Sequence, residues 1–241
     1  ADPVTEHSVH EWQRLLSYAP NSISIDLSKQ DWLHWPVEQW RTFLQSVLDS
    51  GVQMIHYLKL AYPNSILPDE HTIEHFNLLN HFFNQTPVVQ LEINHIALSE
   101  HLLKIIHSGL CNQQALQQLT LKNTRIDDGA LPWITVIGQA NNITQLNLSG
   151  NQFTSDGLLF SNLTQVLTQG SLVELDLSHN YFDYRVVSIT ANLLAKNPLQ
   201  ILRLNNNDLS EANFSNYFSA GQSFKALNLE HTNLNTQALK T

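Results

Sequence analysis

The chain has 241 residues, of which 42% are hydrophobic and only 14% charged, with 12 Lys+Arg against 21 Asp+Glu and a formal charge of −9. Such a composition can bury a core and disfavours disorder. The negative balance argues against binding a phosphate backbone or an anionic lipid surface and leaves protein partners open. No apolar run approaches the roughly 20 residues of a membrane span, and no basic-plus-apolar signal segment opens the chain. Cys111 is the sole cysteine, so an intrachain disulfide is excluded and a reducing, cytoplasmic setting is expected. Five glycosylation sequons, beginning at Asn84, Asn142, Asn147, Asn162 and Asn213, are coincidences in a chain that is about one-tenth asparagine. Ala1-Asp2-Pro3 in place of a starting Met is expected to mark a trimmed or tagged N-terminus.

Residues 1–21 read as an N-terminal helical cap. Ser8-x-x-Glu11 is a capping-box signature that opens a helix with Val9, Trp12, Leu15 and Leu16 on one side, closed before Pro20. Trp12, Trp32, Trp35 and Trp40 all fall near this end. They are expected to seal the open end of the structure, with an aromatic docking patch as the alternative.

Residues 22–241 repeat a template. The weakest copies come first: Ile25-Asp26-Leu27, then Ile55-x-x-Leu58-x-Leu60 running into Tyr62-Pro63-Asn64, then Val88-x-x-Leu91-x-Ile93-x-x-Ile96-x-Leu98. Five full copies follow: Leu116-x-x-Leu119-x-Leu121-x-x-Thr124-x-Ile126, Ile143-x-x-Leu146-x-Leu148-x-x-Asn151-x-Phe153, Leu172-x-x-Leu175-x-Leu177-x-x-Asn180-x-Phe182, Leu199-x-x-Leu202-x-Leu204-x-x-Asn207-x-Leu209 and Phe224-x-x-Leu227-x-Leu229-x-x-Thr232-x-Leu234. The second apolar position of each unit steps by 33, 33, 28, 27, 29, 27 and 25 residues. In each L-x-L the two apolar residues point inward and the middle one outward, as in a short strand. The segments 36–50, 69–84, 99–108 and 184–195 have helical spacing, with Val37, Trp40, Phe43, Leu44, Val47 and Leu48 as one apolar stripe. The asparagine can bond backbone groups of its own turn and of its neighbours. Thr124 and Thr232 can do so less fully, which predicts looser turns there.

This template resembles the leucine-rich repeat, L-x-x-L-x-L-x-x-N-x-L, over about nine-tenths of the chain. Steps near 28, and the junctions Ile126-Asp127-Asp128-Gly129-Ala130-Leu131 and Phe153-Thr154-Ser155-Asp156-Gly157-Leu158, are similar to the ribonuclease-inhibitor-like subclass. The resemblance implies an α/β fold: a curved solenoid of about eight repeats, a parallel sheet inside and helices outside. Strands stack about 4.8 Å apart and helices about 10 Å apart, so such a stack must bend. Thr236–Thr241 begins a helix and stops, so the natural chain is expected to continue; a bare last edge would otherwise invite self-assembly. A monomer is expected.

The outward positions define the concave face. One row reads Asp26, Lys59, Glu92, Thr120, Asn147, Asp176, Arg203, Asn228, and the row before it Ser24, Tyr57, Gln90, Gln118, Gln145, Glu174, Ile201, Ala226. Further outward positions add Tyr62, His95, Lys122, His179, Glu230 and His231. Tyr57, Lys59, Tyr62, Glu92, His95 and Lys122 form an expected partner-binding cluster, because aromatic anchors ringed by polar groups make hot spots. Glu174, Asp176, His179 and Arg203 form a second, whose acidic pair is suited to a basic partner with His179 adding pH sensitivity; pairing of Asp176 with Arg203 across strands is the simpler account.

Catalytic chemistry finds little support. His71-Thr72-Ile73-Glu74-His75 spells the inverted zinc-protease pattern, but twelve histidines make that coincidence ordinary, and a solvated helix flank without a pocket is expected. No phosphate loop, nucleophile elbow or dinucleotide turn is present. Cys111 reads as a small core hydrophobe. GTPase-activating relatives of this repeat subclass use a loop arginine, for which Arg125 is the nearest analogue. An ordinary surface arginine is the simpler account. The expectation is a non-enzymatic protein–protein interaction scaffold without cofactor or metal. Abundant Asn, Gln and His with few Lys also resemble the leucine-rich-repeat effectors that bacterial pathogens inject by type IV secretion, whose partners are host cytosolic proteins.

Overall fold

The computed structural model describes residues 21–67, 70–160, 163, 172–214 and 225–235. The expected cap helix, with Trp12, and the final Thr236–Thr241 lie outside the described residues. Eight parallel strands form one sheet in strict chain order: β1 (Ser22–Asp26), β2 (Met54–Ile66), β3 (Val88–Ile96), β4 (Gln118–Lys122), β5 (Gln145–Asn147), β6 (Glu174–Asp176), β7 (Ile201–Arg203) and β8 (Ala226–Asn228). Between them run α1 (Val37–Asp49), α2 (Glu70–Phe83), α3 (Glu100–Gln113), α4 (Leu131–Ala140), α5 (Ser155–Phe160) and α6 (Arg185–Leu194), with single 3₁₀ turns at Trp32–His34 and Asp128–Ala130. The predicted α/β repeat solenoid is therefore present, and the four predicted helical segments match α1, α2, α3 and α6. No described helix is long and apolar enough to cross a membrane.

The inward leucines build one continuous core. Leu58, Leu91, Leu119, Leu146, Leu175 and Leu202 are each at most 2% exposed and are paired in register across neighbouring strands. At roughly 25 cal/mol per Å² of apolar area buried, repetition of this motif supplies most of the driving force. Helices stack in sequence on the outer side, α1 on α2, α2 on α3, α3 on α4 and α5 on α6. Capping is explicit at α3, where the Ser99 hydroxyl accepts the Leu102 N–H at 3.2 Å.

The repeat asparagines cross-link neighbouring turns. Asn151 Nδ2 donates to Leu121 O, Leu148 O and Ser149 O at 2.6, 3.0 and 3.3 Å, while its Oδ1 accepts the Thr124 N–H at 3.0 Å. Asn180 does the same to Leu148 O, Leu177 O and Ser178 O, and accepts from Phe153 N–H. Asn207 bonds Leu177 O and Leu204 O and accepts from Phe182 N–H. The predicted looseness at Thr124 is corrected by this arrangement. Thr124 is fully buried, and its hydroxyl lies 3.1 Å from Asn151 Oδ1, so the next repeat holds the turn that Thr124 holds less well itself.

The early repeats lack the asparagine and compensate with longer strands. β3 runs to Ile96, the residue standing where later units carry Asn. β2 runs to Ile66 through a bulge: Ala61 pairs with Asn94 and Ile66 with Ile96, which absorbs Tyr62-Pro63-Asn64. An aromatic stack secures this end. Trp32 and Trp40 are fully buried, their rings 5.0 Å apart, and Trp40 stacks on Phe43 and on His75. These two tryptophans are core, not an exposed docking patch.

Candidate functional site

Strand pairing puts the outward residues in two straight rows. Asp26, Lys59, Glu92, Thr120, Asn147, Asp176, Arg203 and Asn228 are paired in register, as are Ser24, Tyr57, Gln90, Gln118, Gln145, Glu174, Ile201 and Ala226. This is the expected alignment.

At the β2–β3 end, Glu92 is the hub. Its Oε2 accepts the Tyr57 hydroxyl at 2.6 Å, and its Oε1 lies 3.5 Å from Lys59 Nζ and 3.4 Å from Asn94 Nδ2. Burial, and then the hydrogen bond to and charge of Glu92, push the Tyr57 phenol well above its ordinary range. His95 sits in the left-handed region (φ 60°), with Asn123 Nδ2 donating to its Nε2 at 3.2 Å. Lys122 is exposed and has no ion-pair partner among the described residues.

Tyr62 departs from expectation. It is half-buried, and its hydroxyl accepts the Leu33 N–H at 2.8 Å and donates to Asp31 Oδ1 at 3.1 Å. The bulge in β2 turns this ring back onto the 3₁₀ turn beside Trp32, so Tyr62 joins the first two repeats. Burial, opposed by the Leu33 N–H and reinforced by Asp31, raises its phenol too. Both phenols stay protonated in the folded chain at a pH where the unfolded chain, near its ordinary value of about 10, already ionises. Stability from these groups is present below about pH 10 and falls as pH rises through the folded values. Melting temperature is expected to drop between about pH 9.5 and 11.5. The drop should be shallower in Tyr57→Phe/Tyr62→Phe; an unchanged slope in that variant would refute the assignment.

The second cluster is rearranged as well. Asp176 is only 8% exposed, and its Oδ1 accepts the Ser178 N–H at 3.0 Å and the Ser178 hydroxyl at 2.6 Å. It closes a turn and is not an open acidic contact. Arg203 pairs with Glu174 and not with Asp176 as predicted, because Glu174 lies one row away on the neighbouring strand with its side chain free. His179 is exposed at φ 54°, within 3.1 Å of Asn206 Nδ2.

A third row completes the outward positions already expected at His95, His179 and His231, and its backbone conformation is the new element. Two residues past each inner strand leucine or isoleucine, the backbone takes positive φ: His95, Asn123, Gly150, His179, Asn206 and His231. The signal was legible, since His, Asn and Gly are the residues that tolerate this region. At Gly150 a Cβ would fall 1.9 Å from Asn123 Oδ1, so a larger residue there would displace the Asn123 amide.

The periodic strand, the asparagine cross-links and the positive-φ turn recur unit after unit, and the family model described as Leucine Rich Repeat matches residues 142–164, which span β5 and Asn151. That match covers one repeat unit of the chain. No curated protein matches it. Among solved structures it is similar to an internalin (inlF) from Listeria monocytogenes str. 4b F2365, at 13% identity over 96% of this chain and 83% of that one, with a TM-score of 0.35.

Away from the concave face, the chain is stapled along its strand-to-helix edge. Asp128 accepts the Thr154 N–H and hydroxyl at 3.0 and 2.6 Å, and a Cβ on Gly157 would strike its carboxylate carbon at 1.9 Å. Arg185 clamps Asp183 and Asp156, and its hydrogen bond is the main reason the Asp183 carboxyl lies below the usual range. On the same edge, Arg125 borders a cleft of about 370 Å³ with Ile73, Leu98, Ser99, His101 and Leu102.

The zinc-protease pattern does not sit on a solvated flank as expected. His75 is fully buried with its ring stacked on Trp40, whereas Glu74 is half-exposed and lies 3.7 Å from Arg41. One motif residue faces the core and the other solvent, because positions one apart on a helix diverge by about 100°. Among the described residues no group of three or more His, Cys, Asp or Glu is placed to hold a metal. Cys111 is half-buried against the core, and burial pushes its thiol up, away from nucleophilic character.

Proposed function

We propose that this chain is a leucine-rich-repeat protein, a non-enzymatic scaffold that holds a partner protein on the concave face of its sheet. The observation that carries the reading is the register of two polar rows across eight strands, which makes one extended surface on a rigid frame. Side chains at its two ends are already fixed by internal bonds, so little ordering entropy opposes docking there. Composition supports a more specific form: the chain is an effector delivered by a bacterial pathogen, and its partner is a host cytosolic protein. Asparagine and glutamine together make up close to a fifth of the residues.

The test is affinity capture from eukaryotic cytosol, with the captured protein identified by mass spectrometry, purified and titrated. Thr120→Arg/Lys122→Glu alters outward groups of β4 that make no internal side-chain bond, and Arg125→Ala alters the edge. The β4 variant is expected to lose at least about tenfold in affinity, as a charge set against a complementary surface costs about 1.4 kcal/mol or more. Arg125→Ala should bind as wild type. Equal binding by the folded β4 variant would place the contact elsewhere and sink the proposal.

A further inference from the structure

The cleft on the strand-to-helix edge combines an apolar lining with a free cation. Ile73 of α2, Ala97 and Leu98 of the β3–α3 connection, and Leu102 of α3 line its volume of about 370 Å³. The floor is tied down. Leu98 and Leu102 are each 3% exposed, the Ala97 N–H donates to Ile66 O at 3.0 Å, and the Leu98 N–H donates to Thr124 O at 2.8 Å. The wall is apolar and open to water. Ile73 is 41% exposed, and Leu67, which follows the Ile66 carbonyl that holds Ala97, is 67% exposed. They are two of the five large hydrophobic side chains exposed among the described residues. Exposed apolar groups gathered beside a formed recess mark an interaction site, whereas scattered single ones do not.

Arg125 stands at the mouth with its charge uncompensated. Its side chain lines the cleft, is exposed, and makes neither an ion pair nor a hydrogen bond among the described residues. The carboxylates on the flanking segments are engaged elsewhere. Glu74 lies 3.7 Å from Arg41, Glu100 accepts the Trp133 indole N–H at 3.2 Å, Asp127 accepts the Gly129 N–H at 3.0 Å, and Asp128 is held by Thr154. The guanidinium fork therefore keeps its capacity to take a carboxylate through two parallel hydrogen bonds. His101, exposed on the same rim, offers one further N–H. The net charge of −9 does not reverse this local preference. At physiological salt, charges more than about 8 Å away are largely screened.

The complement of this recess is a carboxylate held close to an aliphatic group. A free small acid fits it poorly, because Ile73, Ser99, His101 and Arg125 are all exposed and leave the outer side open. Small-molecule sites enclose most of their ligand. Side chains carried on a protein segment need no such enclosure, since the segment itself covers the open side. We propose that the cleft docks a segment of a partner protein that presents an aspartate or glutamate beside a leucine, isoleucine or valine. The aliphatic group seats against Ile73, Leu98 and Leu102, and the carboxylate pairs with Arg125. This contact lies on the edge of the solenoid and does not rest on the concave-face reading.

The probe is a set of three displayed libraries of end-blocked nonapeptides. All contain Leu, Ile, Val, Gly, Ser and Asn; one adds Asp and Glu, one adds Lys and Arg, and one adds no charged residue. Selected peptides are titrated by calorimetry against the full chain and its Arg125→Ala, Ile73→Asn and Lys122→Gln variants, each first shown to fold by circular dichroism. The acidic library is expected to yield binders that weaken about fivefold in Arg125→Ala and about tenfold in Ile73→Asn. Lys122→Gln, which removes a free cation of the concave face, should leave them unchanged. Exchanging the peptide's acid for its amide should abolish the loss caused by Arg125→Ala, as a direct pair requires. Failure of the acidic library to yield a binder overturns the proposal, as does indifference of its binders to Arg125→Ala or to Ile73→Asn. Acidic peptides lost in Lys122→Gln would place their site on the sheet and overturn it too. Basic or uncharged peptides lost in Ile73→Asn and indifferent to Arg125→Ala would leave an apolar cleft and overturn the acidic partner.

Discussion

Replacing Asn180 with alanine is expected to cost about 2–4 kcal/mol of stability, from one buried N–H left unpaired at about 1–3 kcal/mol and the loss of three further hydrogen bonds. The side chain is 7% exposed and serves two repeats at once: three carbonyls, Leu148, Leu177 and Ser178, and the Phe153 N–H. Its removal strands the buried Phe153 N–H, while the three carbonyls keep Asn151, Asn207 and the Gly150 N–H as donors. Because each repeat touches only its neighbours, the damage should be local. Amide exchange is therefore expected to accelerate at Phe153 and Leu177 and to change little in β1 and β2. Asn112→Ala is the control: that amide also bridges repeats, at 2.7 Å to Asn84 Oδ1, but on an exposed helix face, and should cost under about 0.5 kcal/mol. Equal losses in the two variants would show that the buried asparagines do not carry the cohesion assigned to them.

Trp40→Ala is expected to cost more by a different route, at about 3–5 kcal/mol. The ring is fully buried between Phe43 at 5.6 Å, His75 at 5.9 Å and Trp32 at 5.0 Å, and its Nε1 donates to His75 O at 3.1 Å. Alanine leaves a cavity that the surrounding rings cannot all collapse into. Trp40→Phe keeps most of the packing and loses the hydrogen bond, so about 1–2 kcal/mol is expected from it. Urea unfolding followed by far-ultraviolet circular dichroism checks both. A loss below about 1 kcal/mol for Trp40→Ala would mean the stack is not the anchor of the first two repeats. Trp40 and Asn180 share no partners, so their effects should add.

Particular residues explain which parts of this architecture were legible in the sequence. Inner positions such as Leu119 and Leu146 announce themselves because a strand buries every second residue, and a fixed period then fixes register from one repeat to the next. Both outward rows therefore follow from the repeat alone. The errors fall where register alone does not determine direction. Tyr62 occupies an outward template position, but Pro63 and the bulge rotate it onto the Trp32 turn. Asp176 occupies another, but a short carboxylate two residues before Ser178 finds the turn's own donors before it finds a partner strand. His75 looked like a ligand or a surface residue because its helix carries many polar groups. Its actual neighbour, Trp40, comes from another repeat, and no local pattern reports a contact across 35 positions. The cleft beside Arg125 was likewise invisible, since Ile73, Leu98 and Arg125 come from three different repeats.

The asparagine cross-links divide the molecule into two kinds of construction. From Thr124 to Asn207, each unit meets the one before it through the same few atoms: an amide that reaches back both to one carbonyl and to one N–H. Units joined in this way are interchangeable parts. A segment cut from one asparagine to the next, such as 151–179, begins and ends on the same connector, so it could be removed or duplicated with the seams still matching. The first three units have no such standard joint. Their strands differ in length, and Trp32, Trp40, Tyr62 and His75 pack on one another and on Phe43 and Phe76 within these units. Lengthening or shortening of the solenoid, whether by recombination or at the bench, is thus confined to its C-terminal side, while the N-terminal side is a single piece that must be kept whole.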